Sequence, residues 1–116
     1  MSSKLTIGLD FGTNSMRALI VDTADGTEVG SASFPYPHGE MGVLVDPRNP
    51  SLARQHPADY LDGIRHAVGA ALRKAGPQAA ERVAGIGVDA TGSTPIPVDA
   101  AGEPLAFRPA FEGHPD

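Results

Sequence analysis

The sequence contains no cysteine among its 116 residues. Disulfide bonds, thiolate metal sites and a thiol nucleophile are therefore excluded. Positive charge is also scarce, since 9 lysines and arginines stand against 14 acidic residues and give a formal net charge of −5. Because binding to a nucleic-acid backbone depends on basic residues, this balance argues against a nucleic-acid partner and favours a small-molecule ligand.

Long apolar runs are absent as well. No run approaches the roughly 20 residues that a membrane-spanning helix needs, although 41% of the residues are hydrophobic. The first residues lead directly into an alternating pattern and lack the apolar stretch and cleavage site of a secretory signal. We therefore expect a soluble cytoplasmic protein without a membrane segment, of the size of one small domain.

Three strands are predicted at the start of the chain. Apolar residues alternate with small or polar ones over residues 5–10, which is the period of a half-buried strand. Two further strand patterns follow over 17–22 and 27–34, and an Asp-Gly turn signal separates them. We therefore expect a three-stranded meander over residues 1–34.

A long loop and one helix are predicted next. Residues 35–56 are rich in proline and show little periodicity, so we interpret them as a surface loop rather than packed structure. Apolar residues recur at helical spacing over 57–76, where Pro57 suits the first turn and Gly76 the stop. The sequence therefore predicts an amphipathic helix that packs on the sheet.

The last part of the chain is predicted to hold a strand, a polar turn and a hairpin over residues 83–107. Residues 83–89 are apolar nearly throughout, as in a buried strand. After the polar turn at 90–93, residues 94–98 can form a strand only near a sheet edge, because they include two prolines. Residues 108–116 carry no folding signal.

One segment near the start combines the groups that phosphate chemistry uses. It holds a carboxylate at a strand end, a glycine, three hydrogen-bonding side chains and a guanidinium, which are Asp10, Gly12, Thr13, Asn14, Ser15 and Arg17. Turn N–H groups and hydroxyls can bind phosphate oxygens, and Asp10 can hold Mg²⁺ directly or through water. The glycine spacing of the P-loop and of the dinucleotide fingerprint is absent. Spacing alone also fits an ordinary hairpin turn capped by Asp10.

A second strand end loosely repeats this arrangement. Gly87-Val88-Asp89 precedes a turn of small polar residues, as Gly8-Leu9-Asp10 does. In a mixed sheet the two acidic strand ends and their two turns could lie side by side. Asp89 could face a metal or a sugar, or could simply cap its own turn, and both alternatives stay open.

The histidines show no metal-ligand spacing. We expect structural or solvent-exposed roles, and no metal site, for all four of them, which are His38, His56, His66 and His114.

Two longer strings resemble a known family. Residues 7–22 resemble the phosphate-1 motif of FGGY sugar kinases, within the actin, Hsp70 and hexokinase-like ATPase fold. Residues 85–99 and 54–60 are similar to the ribulokinase group of that family. In glycerol kinase-like members the second turn carries Gln-Arg-Glu, whereas here it is Thr91-Gly92-Ser93, which counts against glycerol as substrate.

The resemblance implies a ribonuclease H-like α/β fold with a mixed sheet and a flanking helix, of which this chain is an incomplete N-terminal lobe. It implies ATP and Mg²⁺ as cofactors and ATP-dependent phosphorylation of a ketopentose, with ribulose expected, in pentose or arabinose catabolism. ATP phosphates are then expected at Thr13, Asn14, Ser15 and Arg17, where Gly12 lets the backbone approach, and Mg²⁺ at Asp10. The sugar is expected near the second turn, at Asp89, Thr91, Gly92, Ser93 and Thr94.

The resemblance also implies that much is missing. Family members are several times longer, and their general-base aspartate lies beyond residue 116, so the chain is expected to be an inactive fragment without a catalytic residue. A homodimer of a full-length form stays open. Two other classes also stay open: a nucleotide-binding module of the actin/Hsp70-like superfamily without kinase activity, and an inactive interaction remnant. The turn over 91–94 favours the kinase, because its match to ribulokinases has no purpose in the other classes.

Overall fold

A computed structural model describes residues 2–113. His114, one of the four histidines considered above, lies outside the described residues. Within 2–113 the chain forms strands and helices in the order β-β-β-β-β-α-α-β, with these bounds: β1 Leu5–Phe11, β2 Ser15–Asp22, β3 Glu28–Pro35, β4 Leu44–Asp46, β5 Asn49–Arg54, α1 Pro57–Ala75, α2 Ala79–Arg82 and β6 Val83–Ala90. Among these, no helix has the length and apolar character needed to cross a membrane.

One mixed sheet organises the fold, with the strand order β3-β2-β1-β6. β1, β2 and β3 pair in antiparallel fashion as a meander, and β6 returns parallel to β1 on its other side. A parallel neighbour requires a crossover connection, and α1 lies in that connection. The predicted α/β class, with a mixed sheet and a flanking helix, is confirmed.

Helix α1 begins and ends with identifiable capping contacts. The side chain of His56 accepts a hydrogen bond from the N–H of Ala58 at 3.1 Å, and Pro57 occupies the first turn. At the other end Gly76 adopts a φ of 118°, which favours glycine, and its N–H donates to the Leu72 carbonyl. The sequence signals at both ends therefore act as predicted.

The hydrophobic core lies between α1 and one face of the sheet. Alternate residues of β1 and β2 and two alanines of α1 fill it, namely Leu5, Ile7, Leu9, Met16, Ala18, Ile20, Ala67 and Ala71. The helix backbone comes so close to β3 that a Cβ atom on Gly30 would lie 2.3 Å from the Ala71 carbonyl oxygen. A side chain at Gly30 would therefore push the helix off the sheet.

The predicted loop over 35–56 is wrong in one respect, because it contains a β-hairpin. β4 and β5 pair in antiparallel fashion, with Leu44 opposite Arg54. The Asp46 carboxylate accepts the N–H of Arg48 at 2.9 Å and so stabilises the turn between the strands. Strands of three and six residues with a single buried side chain, Leu52, carry too little periodicity to be recognised in the sequence.

The prediction that residues 83–89 form a buried strand is also wrong in part. β6 is a strand, but Ile86 and Val88 are 61% and 66% exposed. The reason is its place at the sheet edge, since α1 packs over β2 and β3 rather than over β6. An apolar strand can therefore stand at an uncovered edge, which its composition does not reveal.

The hairpin predicted after residue 93 is present only as a very short one. The Gly102 N–H donates to the Asp99 carbonyl at 3.0 Å, and the arms are joined by one bridge, Val98 to Pro104, where the N–H groups of Asp99 and Leu105 donate to the Glu103 and Pro97 carbonyls. Two short 3-10 turns follow, Leu105–Phe107 and Pro109–Phe111, the second within a stretch that carried no folding signal. The prolines explain the missing ladder, because they have no N–H to donate.

The close approach at Gly30 gives a stability prediction. Gly30→Ala should lower the free energy of unfolding by about 1–3 kcal/mol, because the new methyl group overpacks against helix backbone. Urea denaturation of the chain measures this change. Gly87→Ala is the matched control, since a Cβ there meets no atom within 4 Å. Equal effects of the two substitutions would contradict the packing described here.

Candidate functional site

The parallel pairing of β1 and β6 brings the two predicted turns together. Asp10 lies opposite Asp89 in the register, and both strands end at the same edge of the sheet. The turn at residues 12–15, called the phosphate turn below, follows β1, and the turn at 91–94, called the second turn, follows β6. The prediction that the two acidic strand ends lie side by side is confirmed.

A groove runs over the sheet face that α1 leaves open. Residues directly opposite in a sheet share a face, so Asp10, Arg17 and Asp89 stand in one row across three strands. Gly8 and Gly87 belong to the same groove, which has a volume of about 400 Å³. Because neither glycine has a side chain, the floor beside the two carboxylates is open backbone.

Arg17 forms its ion pair with Glu28 and not with either carboxylate of the groove. Its guanidinium lies 3.9 Å from the Glu28 carboxylate, and both side chains are about half exposed. An exposed ion pair of this kind stabilises a protein by about 0–1 kcal/mol. Arg17 can therefore leave Glu28 for a stronger anion at little cost.

The phosphate turn has all four of its carbonyl oxygens engaged. Gln55 Nε2 donates to the carbonyls of Gly12 at 3.1 Å and Thr13 at 2.8 Å. The Tyr36 N–H donates to the Asn14 carbonyl at 3.0 Å, and the Gly12 N–H donates to the Ser15 carbonyl at 2.9 Å. A Cβ on Gly12 would lie 3.0 Å from that same Ser15 oxygen, so the tight turn favours glycine.

The N–H groups at the tip of the phosphate turn are free. Within residues 2–113, neither the Thr13 nor the Asn14 N–H makes a hydrogen bond, and the hydroxyls of Thr13 and Ser15 make none either. A turn with occupied carbonyls and free N–H groups presents positive partial charge, which is the property of a backbone anion site. The phosphate turn therefore has the donor arrangement of a backbone anion site.

The Asn14 side chain has a structural contact. Its Nδ2 donates to the Met41 carbonyl at 2.7 Å, across 27 positions of the sequence. Met41 adopts a φ of 51°, which is uncommon for a residue other than glycine. The Asn14 amide thus ties the loop before β4 to the phosphate turn.

A cleft joins the phosphate turn to the second turn. Its volume is about 410 Å³, and its polar lining comes from Thr13, Arg54, Gln55, Thr91, Ser93 and Thr94. The Thr91 and Thr94 hydroxyl oxygens lie 3.1 Å apart. Three of the predicted sugar-side residues thus share a cleft with Thr13, whereas Asp89 lies in the sheet groove and Gly92 lines neither space.

Sequence reasoning missed Arg54 and Gln55 as site residues. Arg54 is the last residue of β5 and Gln55 follows it, and both fall within the string 54–60 that resembles ribulokinases. That resemblance was the available signal, but it gave no role to either side chain. Their placement depends on the β4–β5 hairpin, which the sequence did not predict.

An aromatic cluster lies beneath the phosphate turn. The Tyr60 ring makes edge-to-face contacts with Phe11 and Tyr36, both with ring centroids 5.7 Å apart, and its hydroxyl donates to Gln55 Oε1. Tyr36 Oη is buried without a hydrogen-bond partner among the described residues. Burial, with smaller effects from Tyr60, Asp59 and Asp10, raises the pKa of Tyr36 to about 12. The pKa of Tyr60 is raised too, first by burial and then by Asp59.

A histidine–aspartate pair fixes the start of α1. The buried Asp59 carboxylate accepts the His38 N–H at 3.2 Å and contacts the His38 ring nitrogen. The His38 and His56 rings stack with centroids 4.0 Å apart. Burial and then His38 lower the pKa of His56. Over residues 2–113, no three His, Cys, Asp or Glu side chains are grouped so that they could hold a metal ion.

Comparison with known proteins finds relatives that match nearly the whole chain. No protein-family model matches the chain. It is 43% identical to the ribulokinase of Geobacillus thermodenitrificans over 99% of this chain and 21% of that protein. It is 46% identical to the ribulokinase of Vibrio parahaemolyticus over 95% of this chain and 19% of that protein. The chain thus spans about a fifth of the length of the curated relatives it matches.

Solved structures agree on the fold. A xylulose kinase from Brucella ovis superposes with a TM-score of 0.70 at 30% identity, over 87% of this chain and 19% of that one. A gluconate kinase from Lactobacillus acidophilus gives a TM-score of 0.70 at 23% identity, over 90% and 19%, and supports the fold alone. The fold is that of sugar kinases among the actin- and hexokinase-like ATPases. Within that class, the chain belongs as a segment to the FGGY carbohydrate kinases and is related to ribulokinases.

The raised tyrosine pKa values predict an alkaline titration. The pKa of Tyr36 is raised from 10.0 to about 12 in the folded chain. Its contribution to the free energy of unfolding is therefore fully present below pH 10.0 and is lost as the pH rises toward about 12. Ultraviolet difference spectra should show little tyrosinate near pH 10.0 until the chain unfolds. Tyr36→Phe and Tyr60→Phe assign the two signals. Ordinary titration of both phenols in the folded chain would contradict the burial described here.

Proposed function

We propose that this chain is the N-terminal part of an ATP-dependent kinase that phosphorylates a ketopentose, with ribulose as the expected substrate, in pentose or arabinose catabolism. One observation carries the proposal. The phosphate turn has occupied carbonyls and two free N–H groups, and the second turn lies at the same sheet edge. The relatives are ribulokinases by name, which supports the sugar class.

ATP phosphates are proposed to bind the phosphate turn. The N–H groups of Thr13 and Asn14 and the hydroxyls of Thr13 and Ser15 supply donors, and the Arg17 guanidinium supplies positive charge. Gly12 keeps the turn tight enough for the backbone to approach the ligand. The donors present therefore fit a phosphate group in number and kind.

Asp10 is the proposed Mg²⁺ residue, directly or through water. The paired carboxylates of Asp10 and Asp89 stand on one sheet face above open backbone. Mg²⁺ prefers oxygen ligands and usually keeps several waters, so one or two carboxylates in an open groove fit it. When bound, Mg²⁺ neutralises charge on the phosphate oxygens. Asp89 is the second carboxylate, facing either the metal or the sugar.

The sugar is proposed to lie against the second turn. Hydroxyls can both donate and accept hydrogen bonds, which suits recognition of sugar hydroxyls by Thr91, Ser93 and Thr94. Gly92 borders open space in that turn, since a Cβ there would meet no atom within 4 Å. The cleft shared with Thr13 would bring the sugar hydroxyl near the terminal phosphate.

We propose that the remainder of the kinase lies outside these residues. The chain would be an incomplete N-terminal lobe of a ribonuclease H-like fold, and the general-base aspartate would lie in the remainder. A cytoplasmic location, the absence of nucleic-acid or membrane partners, and a homodimer of the full-length form belong to the same proposal. The sugar-kinase names of the relatives speak against a nucleotide-binding module without kinase activity.

The test of the phosphate and metal roles is a substitution in the full-length protein. Asp10→Asn should lower kcat on the best sugar by about 100-fold or more, because charge stabilisation of the transferring phosphate is lost. Sugar-dependent ADP release measures it. Asp62→Asn, on the exposed face of α1, is the control and should change kcat by less than about two-fold. An equal kcat for Asp10→Asn and the unsubstituted protein would refute the proposed Mg²⁺ role of Asp10.

The substrate is tested by comparing L-ribulose, D-ribulose, xylulose and glycerol in the same assay. We expect ribulose to be used best by the full-length protein, glycerol to be used poorly, and the 116-residue chain to be silent. Activity of the short chain would refute the proposal that the remainder of the kinase is needed for catalysis. Silence of the full-length protein on every sugar would refute the kinase proposal.

A further inference from the structure

We propose that Gln55 is a positioning residue that holds the phosphate turn in its ligand-binding shape, supported by Tyr60 of helix α1. Gln55 is distant in sequence from the turn, yet its amide nitrogen contacts two successive carbonyls of the turn. The consequence for nucleotide binding rests on the proposed function. The effect on the shape of the turn does not depend on it.

The contacts fix which way the Gln55 amide faces. The carbonyl oxygens of Gly12 and Thr13 can only accept hydrogen bonds, so the nitrogen of the amide must face the turn. The amide oxygen then faces the Tyr60 hydroxyl, which donates to it. Tyr60 is itself held by edge-to-face contacts with Phe11 and Tyr36. The Gln55 amide is thus oriented from both ends.

The two carbonyls belong to the same peptide units as the two free donors. The Gly12 carbonyl shares a planar peptide unit with the Thr13 N–H, and the Thr13 carbonyl shares one with the Asn14 N–H. In a trans peptide the C=O and N–H point in opposite directions. By holding both carbonyls, Gln55 therefore directs both N–H groups to the opposite side of the turn.

Loss of Gln55 would release both peptide units. Either unit could then rotate and present a carbonyl oxygen where an N–H had been, which turns attraction for phosphate into repulsion. The remaining contacts of the turn, from Tyr36 to Asn14 and from Gly12 to Ser15, act on other carbonyls. They cannot replace Gln55.

The test is Gln55→Met, which keeps the length and removes the polar atoms. Gln78→Met is the matched control, because Gln78 is exposed and its side chain makes no capping hydrogen bond. Hydrogen-exchange mass spectrometry on the 116-residue chain reports the shape of the turn. We expect exchange of the hydrogen-bonded amides within residues 10–17, among them the Gly12 N–H that donates to Ser15, to rise about ten-fold in Gln55→Met and to stay unchanged in Gln78→Met.

In the full-length protein, the same substitution should raise KM for ATP about ten-fold and leave KM for the sugar within about two-fold. A merely structural role would instead change both constants together. Tyr60→Phe keeps the ring packing and removes the hydroxyl, so it should shift exchange and the KM for ATP in the same direction by a smaller factor. If Gln55→Met fails to fold, Tyr60→Phe still tests the positioning role.

The outcomes separate the two proposals. Unchanged exchange over 10–17 in both variants would overturn the positioning role, whatever the enzyme does. Faster exchange in a full-length protein that uses no ATP would support the positioning role and refute the proposed function. Faster exchange with an unchanged KM for ATP would overturn the nucleotide part of the inference.

Discussion

The parallel pairing of β1 with β6 determines which residues of this chain can act together. The pairing sets Asp10 beside Asp89 and ends both strands at one edge of the sheet. Two turns far apart in sequence therefore become neighbours, and one acidic groove forms beside them. The pairing requires the crossover that α1 provides, so the packing of α1 on β2 and β3 supports the site indirectly.

The phosphate turn shows how backbone geometry sets electrostatics without a charged side chain. Its carbonyls bond to Gln55, Tyr36 and the N–H of Gly12, and its tip donors remain free. Asn14 contributes twice, since its side chain anchors the loop at Met41 and its carbonyl accepts from Tyr36. The surrounding hairpin, loop and helix thus act on the turn together.

Periodicity predicted the meander, α1 and the strand character of β6, because these depend on local patterns. The juxtaposition of Asp10 and Asp89 was predictable from their matching places at strand ends. The exposure of Ile86 was not, since burial depends on what covers a strand. The contacts of Gln55 were not predictable either, because they join residues 42 and 43 positions apart through a hairpin too short to recognise.

The resemblance to sugar kinases predicted ATP phosphates at the phosphate turn, whereas spacing alone did not. Spacing alone favoured an ordinary capped hairpin turn, and the free N–H groups now favour an anion site. The relatives are about five times longer than the chain, so the proposed chemistry needs residues beyond these. What this part contributes is the arrangement of donors and carboxylates at one edge of a sheet.

Nuclear magnetic resonance titration of the isotope-labelled chain with Mg-ATP at millimolar concentration tests the central claim most directly. The account predicts that the amide signals of Thr13 and Asn14 shift first and furthest, because these free N–H groups receive the phosphates. The amide signals of Gly76 and Gly102, in turns away from the site, should stay in place. Shifts confined to other parts of the chain, with Thr13 and Asn14 unmoved, would contradict it.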